Sequence, residues 1–183
     1  MNPTLNRTAL LISALLLSPL AAQAAPPTKA EYDAAKTTIS ADYKAAKAAC
    51  DSLKANAKDI CEEEAEAAEK NARAELEFRA SGKPADAMKV KVVKADGAYE
   101  VAKERCDDLS GNPKDVCNKE AKATHVAALA AAKSATASAE DRADAKDDLN
   151  DAKYKVAAEK CDTLSGDAKS NCIQAAKTAH GQR

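Results

Sequence analysis

The chain has 183 residues, 28 Lys and Arg against 29 Asp and Glu, a net charge of -1, and 45% hydrophobic content with only 3% aromatic. Alanine supplies the difference: past residue 24, 41 alanines stand beside only 18 Leu, Ile, Val, Met and Phe in 159 residues, which excludes a conventional core of large side chains. The balanced charge removes the electrostatic reason for binding nucleic acid or anionic lipid, and with so much Ala, Lys and Glu it favours helix over disorder.

Residues 1–24 read as a secretory signal peptide. Arg7 is the lone charged side chain, Ala9 to Leu17 form a short apolar run, and Ala22-Gln23-Ala24 offers the small residues a signal peptidase needs. The mature chain is expected to start at Ala25, with 27 basic and 29 acidic residues and a net charge of -2. The apolar run is shorter than the roughly 20 residues of a spanning helix, so no membrane span is expected. A lipoprotein would carry a cysteine at the cleavage point, whereas the first cysteine is Cys50.

The rest of the chain repeats itself at intervals of 56 and 55 residues, marked by Cys50-Asp51-Ser52-Leu53, Cys106-Asp107-Asp108-Leu109 and Cys161-Asp162-Thr163-Leu164. A second cysteine follows eleven positions later in each copy, at Cys61, Cys117 and Cys172, and a tyrosine precedes the first by seven, at Tyr43, Tyr99 and Tyr154. So many fixed offsets signal internal duplication. The expected organisation is a signal peptide over 1–24 and helical hairpin repeats over 25–80, 81–134 and 135–183.

Taken in order, six helices are expected over about 28–53, 57–80, 85–109, 113–134, 138–164 and 168–179. Thr28 with Glu31 spells a capping box at the first start, and Ser138 with Asp141 a weaker one at the fifth. In the second copy, Gly111 suits a left-handed position, Asn112 a helix cap, Pro113 a first turn and Asp115 the helix dipole. Gly166 repeats the glycine, but the first copy has Ala55 there, which makes its turn the least secure. Ser81-Gly82-Lys83-Pro84 separates the first two hairpins; the stretch from Ser134 to Ser138 has neither Gly nor Pro, so it allows either two helices or one long bent helix.

Counting back from Leu109 through Cys106, Ala102, Tyr99, Ala95, Val92 and Met88 gives alternating steps of three and four, the seam of a coiled coil. From Leu53 the same count runs through Cys50, Ala46, Tyr43, Ile39, Lys36 and Tyr32, and after the first turn the seam is small: Cys61, Ala65, Ala68, Ala72. Small residues let antiparallel helices approach closely, which is what a disulfide requires. The fold expected is all-α: three disulfide-stapled, coiled-coil-like antiparallel helical hairpins in tandem.

The cysteines are expected to pair as Cys50–Cys61, Cys106–Cys117 and Cys161–Cys172, because an exported chain meets an oxidising compartment. Zinc is opposed by spacing unlike C-x-x-C and by the scarcity of histidine near the pairs, His125 excepted; redox catalysis is opposed by the same wide spacing. Both histidines, His125 and His180, read as exposed and without function. The run Glu62, Glu63, Glu64, Glu66 and Glu69 reads as a solvated first helical stretch rather than a calcium site, and the repeated tyrosines as bulky spacers in the seam. No G-x-S-x-G motif and no phosphate-cradling glycine loop occurs. No enzyme, catalytic residue, cofactor or metal is expected.

The segments built on Tyr-x-Val-Ala-x-Glu-Lys/Arg-Cys-Asp-x-Leu, with Lys-Asp-Val-Cys following in the second copy, resemble a group of secreted Ala/Lys-rich cysteine-repeat proteins of proteobacteria. These are often labelled TolA-like cell-envelope biogenesis proteins, after the helical middle domain of TolA with its similar composition. The resemblance implies a periplasmic address and carries over no functional residue. The function expected is that of a non-enzymatic structural or interaction protein of the periplasm, with other envelope proteins as its partners. A periplasmic chaperone or stress-protection protein is the first alternative, and a metal or small-ligand binding module the second.

Overall fold

A computed structural model describes residues 25–182. The signal segment read at 1–24 lies outside the described residues. Six helices follow one another: α1 (Lys29–Cys50), α2 (Asn56–Ser81), α3 (Pro84–Cys106), α4 (Asn112–Lys133), α5 (Ala139–Cys161) and α6 (Gly166–Ala179). The chain is therefore all-α over this range, and each disulfide joins the two helices of a hairpin.

The helix starts follow local chemistry. Thr28 and Glu31 form the expected capping box before α1, each side chain bonding the other's backbone N–H. Ser138 and Asp141 do the same before α5, and that cap settles the open question at the second junction: α4 stops at Lys133 and a separate helix begins at Ala139. Pro84 opens α3 and Pro113 sits in the first turn of α4, where a missing N–H costs nothing. After α2 the chain leaves through Gly82 at φ 63, ψ 8, a left-handed cap that donates its N–H to the Phe78 carbonyl.

The three disulfide turns share one design and differ from expectation at their first half. Helices α1, α3 and α5 end at the cysteine itself, three residues early. The Asp after each cysteine donates its N–H to the carbonyl three residues back, and the leucine two positions further on does the same to the cysteine carbonyl. Leu53, Leu109 and Leu164 consequently lie past the helix ends and remain 40%, 44% and 42% exposed, so they do not close the seam. The same Asp then pairs with a lysine on the next helix: Lys58–Asp51 at 2.9 Å, Lys114–Asp107 at 3.1 Å and Lys169–Asp162 at 3.0 Å. Such exposed pairs contribute at most about 1 kcal/mol each and act here as a repeated clamp on turn geometry.

Each turn reverses at a residue with positive φ where the second helix begins: Ala55 at 50° and Gly111 at 59° just before it, and Gly166 at 56° as its first residue. With ψ near -145° at Ala55 and -147° at Gly111, this is a conformation glycine tolerates and alanine resists. The Cα atoms of the paired cysteines are 5.6, 5.7 and 5.8 Å apart, within the range a disulfide prefers. Cys50, Cys106 and Cys161 are each 1% exposed.

Among the described residues every helix packs on its neighbours in the chain alone, so the six form a single antiparallel row. The most extensive interface joins α2 to α3, between hairpins rather than within one. Gly97 explains how close that approach is: a Cβ there would stand 2.8 Å from the Cβ of Ala67. The buried set is correspondingly small in side chain, with Ala65, Ala67, Ala74, Ala95, Ala132, Ala152 and Ala176 joined by Leu76, Val101 and the three cysteines. A helix flanked on two sides buries two opposite stripes, and the three-four seam describes only one of them. On α3, Asp96 and Tyr99 reach α4 while Gly97 meets α2.

Candidate functional site

The polar cluster with the most chemistry lies between α3 and α4. His125 stacks on Tyr99, with ring centroids 4.7 Å apart and planes 10° from parallel. Its Nε2 lies 2.6 Å from Asp96 Oδ1, a geometry that suits an Nε2–H donating to the carboxylate. Asp96 and Tyr99 share one face of α3 because they are three residues apart. The Nζ atoms of Lys103 and Lys122 stand 5.5 and 5.3 Å from the Tyr99 centroid, so the ring also carries two cation–π contacts.

The expectation that His125 is exposed is corrected: its side chain is only 10% accessible, and Nδ1 is buried without a hydrogen-bond partner. That arrangement bears on chemistry. An imidazole acting as a general base needs one nitrogen oriented by an acid and the other offered to a substrate. Here one nitrogen is held by Asp96 and the other is sealed in the helix interface. The trio therefore reads as an interhelical fastening, with stacking and a charge-assisted hydrogen bond together contributing on the order of 1 kcal/mol after allowance for the exposed carboxylate.

The two histidines are the same residue of the repeat, eight positions after Cys117 and Cys172. Asp151 and Tyr154 likewise occupy the positions of Asp96 and Tyr99. Only the second hairpin assembles the trio. In the third, His180 is the C-cap of α6, and Asp151 pairs with Lys155 at 2.7 Å. In the first hairpin the matching positions are Ser40 and Glu69, bridged by Arg73, whose guanidinium donates to Ser40 Oγ at 3.0 Å and Glu69 Oε1 at 2.7 Å. The first two hairpins thus each have a polar link between their helices at one height, made by different residues, and the third pairs its Asp151 along α5 instead.

The other residues singled out in the sequence are dispersed. Glu62 faces Lys47 and Lys58 at 3.4 and 3.6 Å, Glu64 meets Arg105 at 2.6 Å, and Glu66 and Glu69 pair along α2 with Lys70 and Arg73. Glu63 differs: partial burial, then the neighbouring Glu66, raise its carboxyl above the ordinary value, against a smaller opposing pull from Lys70. Among the described residues no group of three or more His, Cys, Asp or Glu is placed to hold a metal ion, and no cysteine is free. A groove of about 410 Å³ between α4 and α5 has Val126, Leu129 and Ala152 among its lining and lysines 119, 122, 133 and 155 around them.

Two residues carry a role that sequence reasoning missed. Asn112 was expected to cap α4, yet the cap is Gly111 and Asn112 is the first residue of the helix; its Nδ2 donates to the Glu159 carbonyl of the next hairpin at 2.8 Å. Asn56 donates in the same way to the Glu104 carbonyl, also at 2.8 Å. The signal was present as an asparagine six residues after the first cysteine in copies one and two. Comparison with family models, with curated proteins and with solved structures gives no match for this chain.

Proposed function

We propose that this chain is a non-enzymatic structural or interaction protein of the periplasm, a short stapled array whose helical surfaces act as a spacer or as a contact face for other envelope proteins. The observation that carries the reading is the single row of six helices, closed at one end by three disulfides and bonded only between chain neighbours. Such a row places most side chains at the surface, and its most elaborate polar cluster is turned inward. Three disulfides suit an oxidising, extracytoplasmic compartment, and no helix in the described residues is long and apolar enough to cross a membrane. Together with the leader-like segment at 1–24, these features support the periplasmic address. In-cell crosslinking with identification of captured proteins tests the reading: a small, reproducible set of envelope partners is expected, and a broad spectrum of unfolded proteins would contradict it.

A second reading, a chaperone that holds unfolded clients, is favoured by one observation. Leu53, Leu109 and Leu164 form a repeated set of exposed apolar side chains at the three turn tips. If they hold clients, replacing all three by serine abolishes suppression of aggregation of a test protein; if the array is a spacer, there is no suppression to lose.

A further inference from the structure

The contacts between hairpins obey a rule that the outer faces break. At the turn end of the α2–α3 interface two polar contacts join one hairpin to the next. Asn56 Nδ2 donates to the Glu104 carbonyl at 2.8 Å, and Arg105 pairs with Glu64 at 2.6 Å. At the α4–α5 interface the same repeat positions do the same work: Asn112 donates to the Glu159 carbonyl at 2.8 Å, and Lys160 pairs with Glu120 at 2.6 Å. Each receiving carbonyl already accepts an N–H from the Asp that caps its own helix, and the asparagine uses its second lone pair. The two interfaces between hairpins thus carry the same pair of clips at the same repeat positions.

The corresponding positions on the outer faces are all altered. On α6, Asp167 stands where Asn56 and Asn112 stand, and Ala175 where Glu64 and Glu120 stand. On α1, Ala49 stands where Arg105 and Lys160 stand. All three are exposed. The shortness of α6 does not account for this, because Asp167 and Ala175 both lie within Gly166–Ala179. A carboxylate at 167 offers only acceptors to a carbonyl that needs a donor, and the acid–base pair is missing from both sides. Repeat arrays need such atypical terminal faces, since a head-to-tail contact that does not close grows into an open filament.

We propose that the Asn–carbonyl bond and the base–Glu pair are the joining code of this array, and that Ala49, Asp167 and Ala175 close its two outer faces against a second copy of the chain. The partner concerned is defined by the code itself: the turn end of α1 from one copy laid on α6 of another. Restoring the code is the test. The triple variant A49R, D167N, A175E of the exported, disulfide-intact chain is compared with the unaltered chain by sedimentation velocity over a hundredfold range of concentration, at low and high salt. The unaltered chain is expected to show no association through these faces. The triple variant is expected to grow in mass with concentration and to fall back at high salt, which screens the restored ion pair. A triple variant that keeps one mass throughout, with circular dichroism and non-reducing peptide mapping unchanged, overturns the proposal, as do α1-to-α6 crosslinks between copies of the unaltered chain. The converse change is a second, independent measurement: Asn112→Asp writes an outer-face residue into an inner interface. It should speed hydrogen exchange at the end of α5 at least tenfold while leaving the end of α3 unchanged, and equal protection at the end of α5 would sink the rule.

Discussion

The first and second hairpins turn through the same number of residues, with the same Asp–Lys clamp and the same disulfide span, yet one turns on Ala55 and the other on Gly111. The alanine is held at φ 50 and the glycine at φ 59. The difference teaches that the turn is imposed by its surroundings: a disulfide, an ion pair and an asparagine clip fix the chain on both sides, and the residue between them takes the conformation that remains. An alanine in that region stores strain of about 1 to 3 kcal/mol, which the second hairpin does not carry.

The largest test of this view removes the staple. Replacing Cys161 and Cys172 by serine should release α6, whose only packed neighbour among the described helices is α5. A loop of this length contributes about 3 kcal/mol in the chain-entropy account, so amide protection across α6 should fall by roughly a hundredfold. The same double replacement at Cys106 and Cys117 should leave α3 and α4 helical, because α2 and α5 still flank them. Equal loss of protection in both variants would show that the hairpins, not the row, are the unit of stability.

Next in size is an exchange of the turn residues. Ala55→Gly should raise stability and Gly111→Ala should lower it, each by about 1 to 2 kcal/mol, since the strain is one of backbone conformation. No heavy atom lies within 4 Å of a Cβ built on Gly111, so crowding adds nothing to the effect. Urea midpoints with unchanged slope decide it; an Ala55→Gly variant no more stable than the parent would mean that the alanine is not strained.

A smaller effect separates the histidines. His125→Ala removes the Tyr99 stacking and the Asp96 bond and should cost on the order of 1 kcal/mol, while His180→Ala, at the end of α6 with no such trio, should leave the melting temperature unchanged. Matching losses in the two variants would mean that the third hairpin also assembles its Asp151, Tyr154 and His180.

The hairpin, its cysteine pairing and its capping boxes are legible in the sequence because each is set by residues close together in the chain. Cys106 and Cys117 flank a turn that glycine and proline announce, and Ser138 with Asp141 is a cap wherever it occurs. The leucines were misplaced because periodicity says where a stripe lies but not where a helix stops; the Asp after each cysteine ends it first. The side-by-side packing of α2 on α3 was not legible, since Gly97 against Ala67 is a meeting of two small residues 30 positions apart with no pattern linking them. Asn112 was misread for a related reason. A cap and a clip use the same amide, and only the position of the Glu159 carbonyl decides between them.

The finest contrast lies among the acids themselves, between carboxyls that the fold favours ionised and one that it does not. Bonds from Thr28 lower the Glu31 carboxyl below its ordinary 4.5, and bonds from Ser138 lower that of Asp141 below 3.8. These caps therefore support the fold above the ordinary carboxylate values and lose that support as pH falls through the lowered ones. Glu63 runs the other way, because burial and Glu66 raise it above 4.5. The folded state then binds a proton more readily than the unfolded chain, so ionising Glu63 weakens the fold as pH rises from 4.5 through the raised value. Glu63→Gln removes that penalty. It should be slightly more stable than the parent at neutral pH, with the difference shrinking toward zero as pH falls to 4.5, whereas Glu31→Gln should be less stable at neutral pH and converge on the parent only at lower pH still. Thermal melts of both variants from pH 3 to 8 read the two slopes, and slopes of the same sign would show that Glu63 is as well solvated as its neighbours.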